Sequence, residues 1–266
     1  MLDFSAYLER IGLGAGERPT LHDVHRAHAT SISFENLDPH RGIPVSLAEE
    51  DLERKLVHER RGGHCFEHNL LLAAALERLG LEVEPMLARV RAGAPPGTVR
   101  PRTHLVLRVT DGAGRAWHAD VGFGVGTLLE PIPFGPDSGA EHEQSGWSFR
   151  VVEERPELVL QTLAEGRWSD VYAFFPQPVP RVDIETSNWW TSTHPQSPFV
   201  SGLIVAVHHP DGSRELISDL SGSLELKVQS PGDTQVSQPP REKIPELLAD
   251  RFALSGFGLD ADGRVQ

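Results

Sequence analysis

Cysteine is almost absent from this chain: Cys65 is the single one in 266 residues. One thiol excludes an internal disulfide, which fits a reducing cytoplasm. No apolar run approaches the roughly 20 residues of a membrane-spanning helix, and the first residues lack the basic and apolar regions of a signal peptide. Positive charge is also scarce, and the formal net charge of −13 argues against nucleic acid and anionic membranes as partners. We therefore expect a cytoplasmic protein.

The surroundings of Cys65 favour reactivity. Gly62, Gly63 and His64 precede it, and an apolar run over residues 70–79 follows. This pattern predicts a buried helix with Cys65 at or near its N-terminus. The unpaired N–H groups and the dipole at a helix start favour a thiolate. A lone cysteine is otherwise a small buried hydrophobic residue, so the prediction of a nucleophile requires a base nearby.

A predicted hairpin supplies that base. Residues 102–109 and 115–121 are rich in strand-forming residues, and the turn signal Asp111-Gly112-Ala113-Gly114 lies between them. Folding the chain about this turn places His104 opposite Asp120 within a residue of register. Opposed residues have Cβ atoms about 5 Å apart. At that distance a carboxylate can orient an imidazole and stabilise its protonated form.

The sequence thus offers a complete triad, with Cys65 as the nucleophile, His104 as the base and Asp120 as the orienting carboxylate. Without Cys65, the His104–Asp120 pair would be an ordinary cross-strand contact. An alternative assigns Cys65, His64 and His68 to a zinc site, since two histidines four residues apart share a helix face. That alternative lacks a His-Glu-x-x-His motif and leaves the hairpin pair without a role, so we predict no metal.

Four segments of the chain, in the same order, resemble the arylamine N-acetyltransferase family. They are residues 33–37 (SFENL), 60–69 (RRGGHCFEHN), 120–124 (DVGFG) and 188–199 (NWWTSTHPQSPF). The family's cysteine, histidine and aspartate carry over onto Cys65, His104 and Asp120. One departure is His64, where the family usually has an aromatic residue.

The resemblance implies an α+β fold with a cysteine-triad core of the transglutaminase or papain-like kind. It implies an N-terminal helical bundle over residues 1–80, a central β-barrel over residues 81–190, and a C-terminal α/β lid over residues 191–266. The chain agrees with this division, because helical spacing dominates its first part and strand-forming runs between Gly and Pro breaks dominate its second.

The resemblance also implies a reaction. Acetyl-CoA is the expected co-substrate, no cofactor is bound permanently, and arylamines or hydrazines are the expected acceptors in a ping-pong reaction; a homodimer is left open. The same triad would serve an amide synthase of this family, which closes a macrolactam from a carrier-bound polyketide thioester. It would also serve a transglutaminase-like or papain-like hydrolase. A non-catalytic binding module would instead have an unreactive Cys65.

A glycine-rich segment follows the predicted catalytic aspartate. Gly122, Gly124, Gly126 and Thr127 could present backbone N–H groups to the pyrophosphate of CoA. The segment is not a dinucleotide-binding fingerprint, because a proline follows closely and no helix pattern begins there. A plain glycine-rich turn is the alternative.

Two further sets of residues belong to the matched segments. Phe34, Phe123 and Phe199 are candidates for the acceptor pocket, since flat apolar amines need flat apolar walls; the alternative is ordinary core. Glu35 and Arg60 are candidates for a buried ion pair that supports the cysteine loop. Two solvated charges are the alternative.

Overall fold

The computed structural model describes residues 1–14, 16, 18–95, 97–135, 139–164 and 166–266. Helices dominate the first part of the chain. They are α1 (Phe4–Arg10), α2 (Leu21–Ser31), α3 (Leu37–His40), α4 (Glu49–Leu52), which continues as a π-helical stretch over Glu53–His58, and α5 (Cys65–Arg78). Four apolar residues of α5, namely Leu71, Leu72, Ala75 and Leu76, are fully buried in one cluster with residues of α1 and α2, so this helix is part of the N-terminal core.

An eight-stranded, antiparallel, barrel-like sheet follows. Its strands are β2 (Glu82–Val90), β3 (Arg102–Thr110), β4 (Ala116–Ala119), β5 (Ile132–Pro133), β6 (His142–Gln144), β7 (Trp147–Glu154), β8 (Glu157–Ala164) and β9 (Arg167–Phe174). They lie in the order β5-β4-β3-β2-β9-β8-β7-β6. Large side chains such as Phe149, Tyr172 and Phe174 fill the core of this sheet.

The last part of the chain combines helices with a second sheet. The helices are α6 (Arg181–Thr193), α7 (Pro198–Ser201) and α8 (Ile244–Phe252), and a short 3₁₀ turn covers Arg241–Lys243. The strands are β10 (Ile204–His208), β11 (Arg214–Ser218), β12 (Glu225–Ser230) and β13 (Asp233–Ser237), and the order is β1-β10-β11-β12-β13. Strand β1 (Phe34–Glu35) comes from the helical part, so the first and last parts of the chain share a sheet.

This arrangement confirms the predicted α+β fold class. The three-part division of the chain stays a prediction, and residue 190, the predicted end of the second part, falls inside α6. Among the described residues, no helix combines the length and the apolar character needed to cross a bilayer.

The hairpin that carries the predicted pair has a register different from the expected one. The paired residues are Leu107–Ala119, Arg108–His118, Val109–Trp117 and Thr110–Ala116. The turn is centred on Ala113, because the Asp111 N–H donates to the Arg115 carbonyl at 2.9 Å. His104 and Asp120 are therefore two residues out of direct opposition, and Asp120 lies just beyond the ladder. Because successive side chains alternate between the two faces, a displacement of two residues leaves His104 and Asp120 on the same face of the sheet.

Candidate active site

Cys65 is the first residue of helix α5. The residue before it, His64, has extended backbone, and its N–H donates to the Glu67 carboxylate at 2.9 Å, which closes the helix start. Cys65 is only 3% exposed, and its Sγ lies 3.6 Å from the Thr103 carbonyl of β3. The predicted position of the thiol at a helix N-terminus is thus observed, and its partners lie on the neighbouring hairpin.

His104 and Asp120 form a short, buried contact. His104 Nε2 lies 2.7 Å from Asp120 Oδ2, and both side chains are almost fully buried. Burial by itself raises the pKa of Asp120, but the charge and hydrogen bond of His104 outweigh it and hold that pKa far below its usual range. Because Nε2 is engaged by the carboxylate, Nδ1 is the ring nitrogen that remains for the Cys65 thiol.

The thiol and the imidazole shift each other's protonation. Burial raises the pKa of Cys65, but hydrogen bonds and charges of His104 and His64 lower it to about 7. Burial likewise lowers the pKa of His104, but Asp120, and to a smaller degree Cys65, raise it to about 10. The lowered pKa of the thiol and the raised pKa of the imidazole both favour a Cys65 thiolate beside a protonated His104. This ion pair is the reactive form of a cysteine nucleophile.

Asn69 orients the carboxylate of Asp120, a role that the sequence-based interpretation missed. Its Nδ2 donates to Asp120 Oδ1 at 2.9 Å, and its Oδ1 accepts from the Val121 N–H at 3.1 Å. The Gly122 N–H donates to the same Asp120 oxygen at 2.9 Å. The signal was available, because Asn69 is a polar residue four positions after Cys65, on the same face of an apolar helix.

His25 holds the backbone at the same point. The Asp120 N–H donates to His25 Nε2 at 3.1 Å, and His25 Nδ1 lies 3.1 Å from the Leu129 carbonyl. This imidazole is therefore neutral with its proton on Nδ1. Burial lowers its pKa to about 4. No sequence signal linked α2 to the hairpin, since the contact joins segments about a hundred residues apart.

A cavity of about 670 Å³ opens onto the pair. Cys65 and His104 both line it, as do Phe34, Phe123 and Phe199, the three phenylalanines predicted for the substrate pocket. Further apolar lining residues are Val90, Val125, Trp190, Ile204, Leu216 and Leu220. The walls are therefore mainly apolar, and Cys65 and His104 form part of them.

Comparison with known proteins identifies the family. Over residues 19–256 the chain matches the N-acetyltransferase family. It is 44% identical to the arylamine N-acetyltransferase of Mycolicibacterium smegmatis over an alignment that covers 99% of this chain and 97% of that protein. The chain belongs to the arylamine N-acetyltransferase family. It is therefore an enzyme of the acetyltransferase class.

Solved structures of the family share the fold. The arylamine N-acetyltransferase of Mycobacterium marinum in complex with CoA superposes with a TM-score of 0.88 at 36% identity, covering 95% of this chain and 93% of that one. The enzyme from Salmonella typhimurium gives a TM-score of 0.85 at 32% identity, covering 96% and 92%. The whole described fold, not only the cysteine motif, is thus typical of this family.

The glycine-rich segment divides into two parts. Gly122 and Gly124 line the cavity. Gly126 and Thr127 are absent from the described residues that form its wall. The Thr127 hydroxyl accepts from the Phe123 N–H at 2.8 Å, which fixes the turn. Gly122 packs so tightly that a Cβ there would lie 2.8 Å from the Cys65 Cα. This glycine permits the close approach of the two segments.

The predicted ion pair between Glu35 and Arg60 is wrong. Arg61 is the partner: its Nη2 lies 2.7 Å from Glu35 Oε1 and 2.9 Å from Asp38 Oδ1. Arg60 has a backbone φ of 53° and an exposed side chain. The left-handed turn at Arg60 directs its side chain to solvent, and the next residue enters the interior. The cysteine loop is thus held by a buried ion pair, one residue later than expected.

The zinc alternative has no geometric support. Among the residues that the structure describes, no group of three or more His, Cys, Asp or Glu side chains is arranged to hold a metal ion. His68 Nδ1 lies 3.0 Å from His28 Nε2, and His68 Nε2 lies 3.1 Å from the Ser33 carbonyl. Both nitrogens of His68 are therefore already occupied.

Proposed function

We propose that this enzyme transfers an acetyl group from acetyl-CoA to an arylamine or hydrazine through an acetyl–Cys65 intermediate. The observation that carries the proposal is the thiol at the start of α5, facing a His104 that lies 2.7 Å from Asp120. The named relatives are arylamine N-acetyltransferases, and the M. marinum structure contains CoA. Family, site geometry and cavity all support the same reaction.

In the first half-reaction, the Cys65 thiolate attacks the thioester carbonyl. The bond between the acetyl carbon and the CoA sulfur breaks, and His104 gives its proton to that sulfur. Asp120 stabilises the protonated imidazole until then. The oxyanion of the tetrahedral intermediate forms at the N-terminus of α5, where the helix dipole favours negative charge.

In the second half-reaction, an amine attacks the acetyl group on Cys65. His104, now neutral, takes a proton from the nitrogen as the new bond forms. The carbon–sulfur bond breaks, the amide leaves, and the thiolate–imidazolium pair is restored. Protons and charges balance over the two halves, so the protein needs no further reactant.

The cavity supports small substrates. Its volume of about 670 Å³ lies within the ordinary range of small-molecule sites, and its apolar walls suit a flat amine. We propose that the glycine-rich segment binds CoA, and Gly122 and Gly124 are its members that line the cavity. Gly126 and Thr127 contribute by shaping the turn. The family and the free, buried Cys65 also support a cytoplasmic enzyme.

Intact mass spectrometry after treatment with acetyl-CoA tests the proposal. One acetyl adduct is expected, and Cys65→Ser should show none. Absence of the adduct on the folded wild-type protein would remove acetyl-CoA as the donor.

Discharge of the acetyl-enzyme separates the alternatives. A simple aniline or hydrazide should remove the acetyl group faster than water does, and steady-state rates should give parallel double-reciprocal lines. Faster discharge by water would indicate a hydrolase. An acetyl-enzyme that no small amine discharges would instead favour the amide synthase with a long carrier-bound substrate.

A further inference from the structure

Arg100 places a positive charge in the wall of the mainly apolar cavity. Among the described lining residues there is no other lysine or arginine, and no aspartate or glutamate accompanies it. The nearby Arg89 and Arg91 both pair with Glu157, whereas Arg100 belongs to no ion pair in the described part of the chain. Its Nη1 donates to the Ala92 carbonyl at 3.2 Å. Because a guanidinium has five N–H groups, most of them remain available to a ligand.

The segment that carries Arg100 is held against β2. Arg89 Nη1 donates to the Arg100 carbonyl, and the Arg100 side chain donates back to Ala92, beyond the end of the same strand. Arg100 itself is half-buried, so its side chain stands between the cavity and solvent. A side chain that is already held in place loses less freedom on binding, which favours the capture of a ligand group.

The position of Arg100 along the sheet sets its distance from the reacting atoms. Ala88 of β2 is the strand partner of His104, and Ala92 lies four residues further along the chain. At about 3.3 Å per residue, the Ala92 carbonyl is about 13 Å from His104 along the sheet. Since the guanidinium is bonded to that carbonyl, Arg100 acts on a ligand group about that far from His104.

Two anionic groups of the substrates could meet Arg100, and they differ in reach. The carboxylate of a 4-aminobenzoate acceptor lies across one ring from the amine, about 6 Å away with ordinary bond lengths. The arm of CoA between its sulfur and its pyrophosphate spans about 15 Å when extended. The reach of this arm matches the position of Arg100, and the reach of the aminobenzoate is too short.

We propose that Arg100 binds the pyrophosphate of the acetyl-CoA donor and thereby selects CoA thioesters over uncharged thioesters. Its free N–H groups suit the bidentate hydrogen bonds that arginine makes with phosphate. This inference rests on acetyl-CoA as the donor in the proposed function.

The glycine-rich segment then meets a different part of the same molecule. Gly122 lies against the nucleophile, since a Cβ there would be 2.8 Å from the Cys65 Cα. That place is too near the sulfur for the pyrophosphate and suits the thioester end of the arm. Gly122 and Arg100 thus contact opposite ends of the arm within one cavity.

The charge of the whole chain gives this arginine a further role. The formal net charge is −13, which repels a donor that carries several phosphate charges. A cation beside the cavity offsets the repulsion where the pyrophosphate approaches. Because salt screens such interactions, the contribution of Arg100 should decline as ionic strength rises.

Calorimetric titration of CoA into the Cys65→Ser protein tests the proposal without any acetyl transfer. In this background, Arg100→Gln removes the charge, and Arg100→Lys keeps the charge but not the forked geometry. Arg102→Gln is the matched control, because it removes a charge two residues away. The Arg102 guanidinium lies over the Phe175 ring, 4.4 Å from its centroid, and Arg102 is not among the described residues of the cavity wall. Thermal melting establishes that each variant is folded.

We expect Arg100→Gln to weaken CoA binding about tenfold, the scale of one hydrogen-bonded contact between charged groups. Arg100→Lys should recover part of the loss, and Arg102→Gln should change the Kd by less than about twofold, since salt screens a charge that makes no contact. S-acetylpantetheine, which has the arm but no pyrophosphate, gives a second readout on protein that retains Cys65. Arg100→Gln should lower kcat/KM for acetyl-CoA about tenfold and leave kcat/KM for S-acetylpantetheine unchanged.

Three results would overturn the proposal. Equal losses for the two thioesters would mean that the substitution changes the shape of the site. Equal losses in Arg100→Gln and Arg102→Gln would mean that general charge suffices. A loss confined to discharge of the acetyl-enzyme by 4-aminobenzoate, with aniline unaffected, would assign Arg100 to an acceptor carboxylate instead. Weaker CoA binding in Arg100→Gln, in a protein whose Cys65 is never acetylated, would contradict only the proposed function.

Discussion

His104 Nε2 lies 2.7 Å from Asp120 Oδ2, although the two residues are not partners in the hairpin ladder. They meet because Asp120 follows the last residue of β4, where the chain leaves the sheet, and because Asn69 of α5 anchors the other carboxylate oxygen. The helix that begins at Cys65 thus also orients the carboxylate beside His104. The arrangement of Cys65, His104 and Asp120 therefore depends on α5 as well as on the hairpin.

Asp120→Asn should reverse the tautomer of His104. The Asn69 amide and the Gly122 N–H both donate to Oδ1, so the amide oxygen of the new asparagine should occupy that position. Its NH₂ would then face His104 Nε2 and move the imidazole proton to the nitrogen that faces Cys65. We expect acetylation of Cys65 to slow by about 10⁴, the loss seen for the same change in a serine triad. Near-normal rates would reduce Asp120 to a structural role.

Gly122→Ala should damage the site through backbone overlap. The added Cβ would lie 2.8 Å from the Cys65 Cα and 3.1 Å from its carbonyl oxygen, and neither backbone atom can rotate away. We expect a loss of about 1–3 kcal/mol in stability, as for overpacked cores, and slower acetylation. Gly112→Ala is the matched control, because a Cβ there has no atom within 4 Å. Urea unfolding and acetylation rates of the two variants should differ clearly; equal behaviour would contradict the tight contact.

Arg61→Gln and Arg60→Gln should separate the two neighbouring arginines. Arg61 pairs with the buried Glu35 and with Asp38, so its loss leaves buried negative charge with fewer partners. We expect the free energy of unfolding to fall by about 3 kcal/mol. Arg60 is exposed, and its replacement should change stability by less than about 0.5 kcal/mol. Chemical denaturation measures both, and similar losses would restore the pair first predicted for Arg60.

Acid should destabilise the fold because several buried histidines are held neutral. Burial lowers the pKa of several neutral histidines, to about 4 in His25, His68 and His118. An unfolded chain binds these protons near pH 6.5, so between about 6.5 and 4 the unfolded state holds more of them and stability falls as pH falls. Each such group contributes up to about 1.4 kcal/mol per pH unit. The raised pKa values of Glu67 and Glu77 act in the opposite direction. The pKa values of His28, His40 and His208 are lowered as well, so the histidines outnumber these two carboxyls. Melting temperatures from pH 7 to pH 4.5 should drop steadily; a flat curve would mean that these rings are not held neutral.

Much of the site followed from local sequence. The glycines and apolar run around Cys65 predict a helix start, because capping and burial of an apolar face are properties of adjacent residues. The strand-forming runs around the turn predict a hairpin for the same reason, and their spacing brought His104 near Asp120. The resemblance of four segments to a family added the fold class and the three phenylalanines of the cavity.

The remaining features depend on distant segments and were decided only by tertiary structure. The centre of a turn fixes the register of its hairpin. The hydrogen bond between Asp111 and Arg115 places this centre one residue later than the sequence predicted. A single left-handed residue, Arg60, decided which arginine enters the core. His25 of α2 reaches the backbone at Asp120 only through the tertiary packing of segments far apart in the chain. Residue types and local periodicity establish what chemistry is available to this chain, and long-range packing establishes which atoms meet, since no local pattern encodes a contact across a hundred residues.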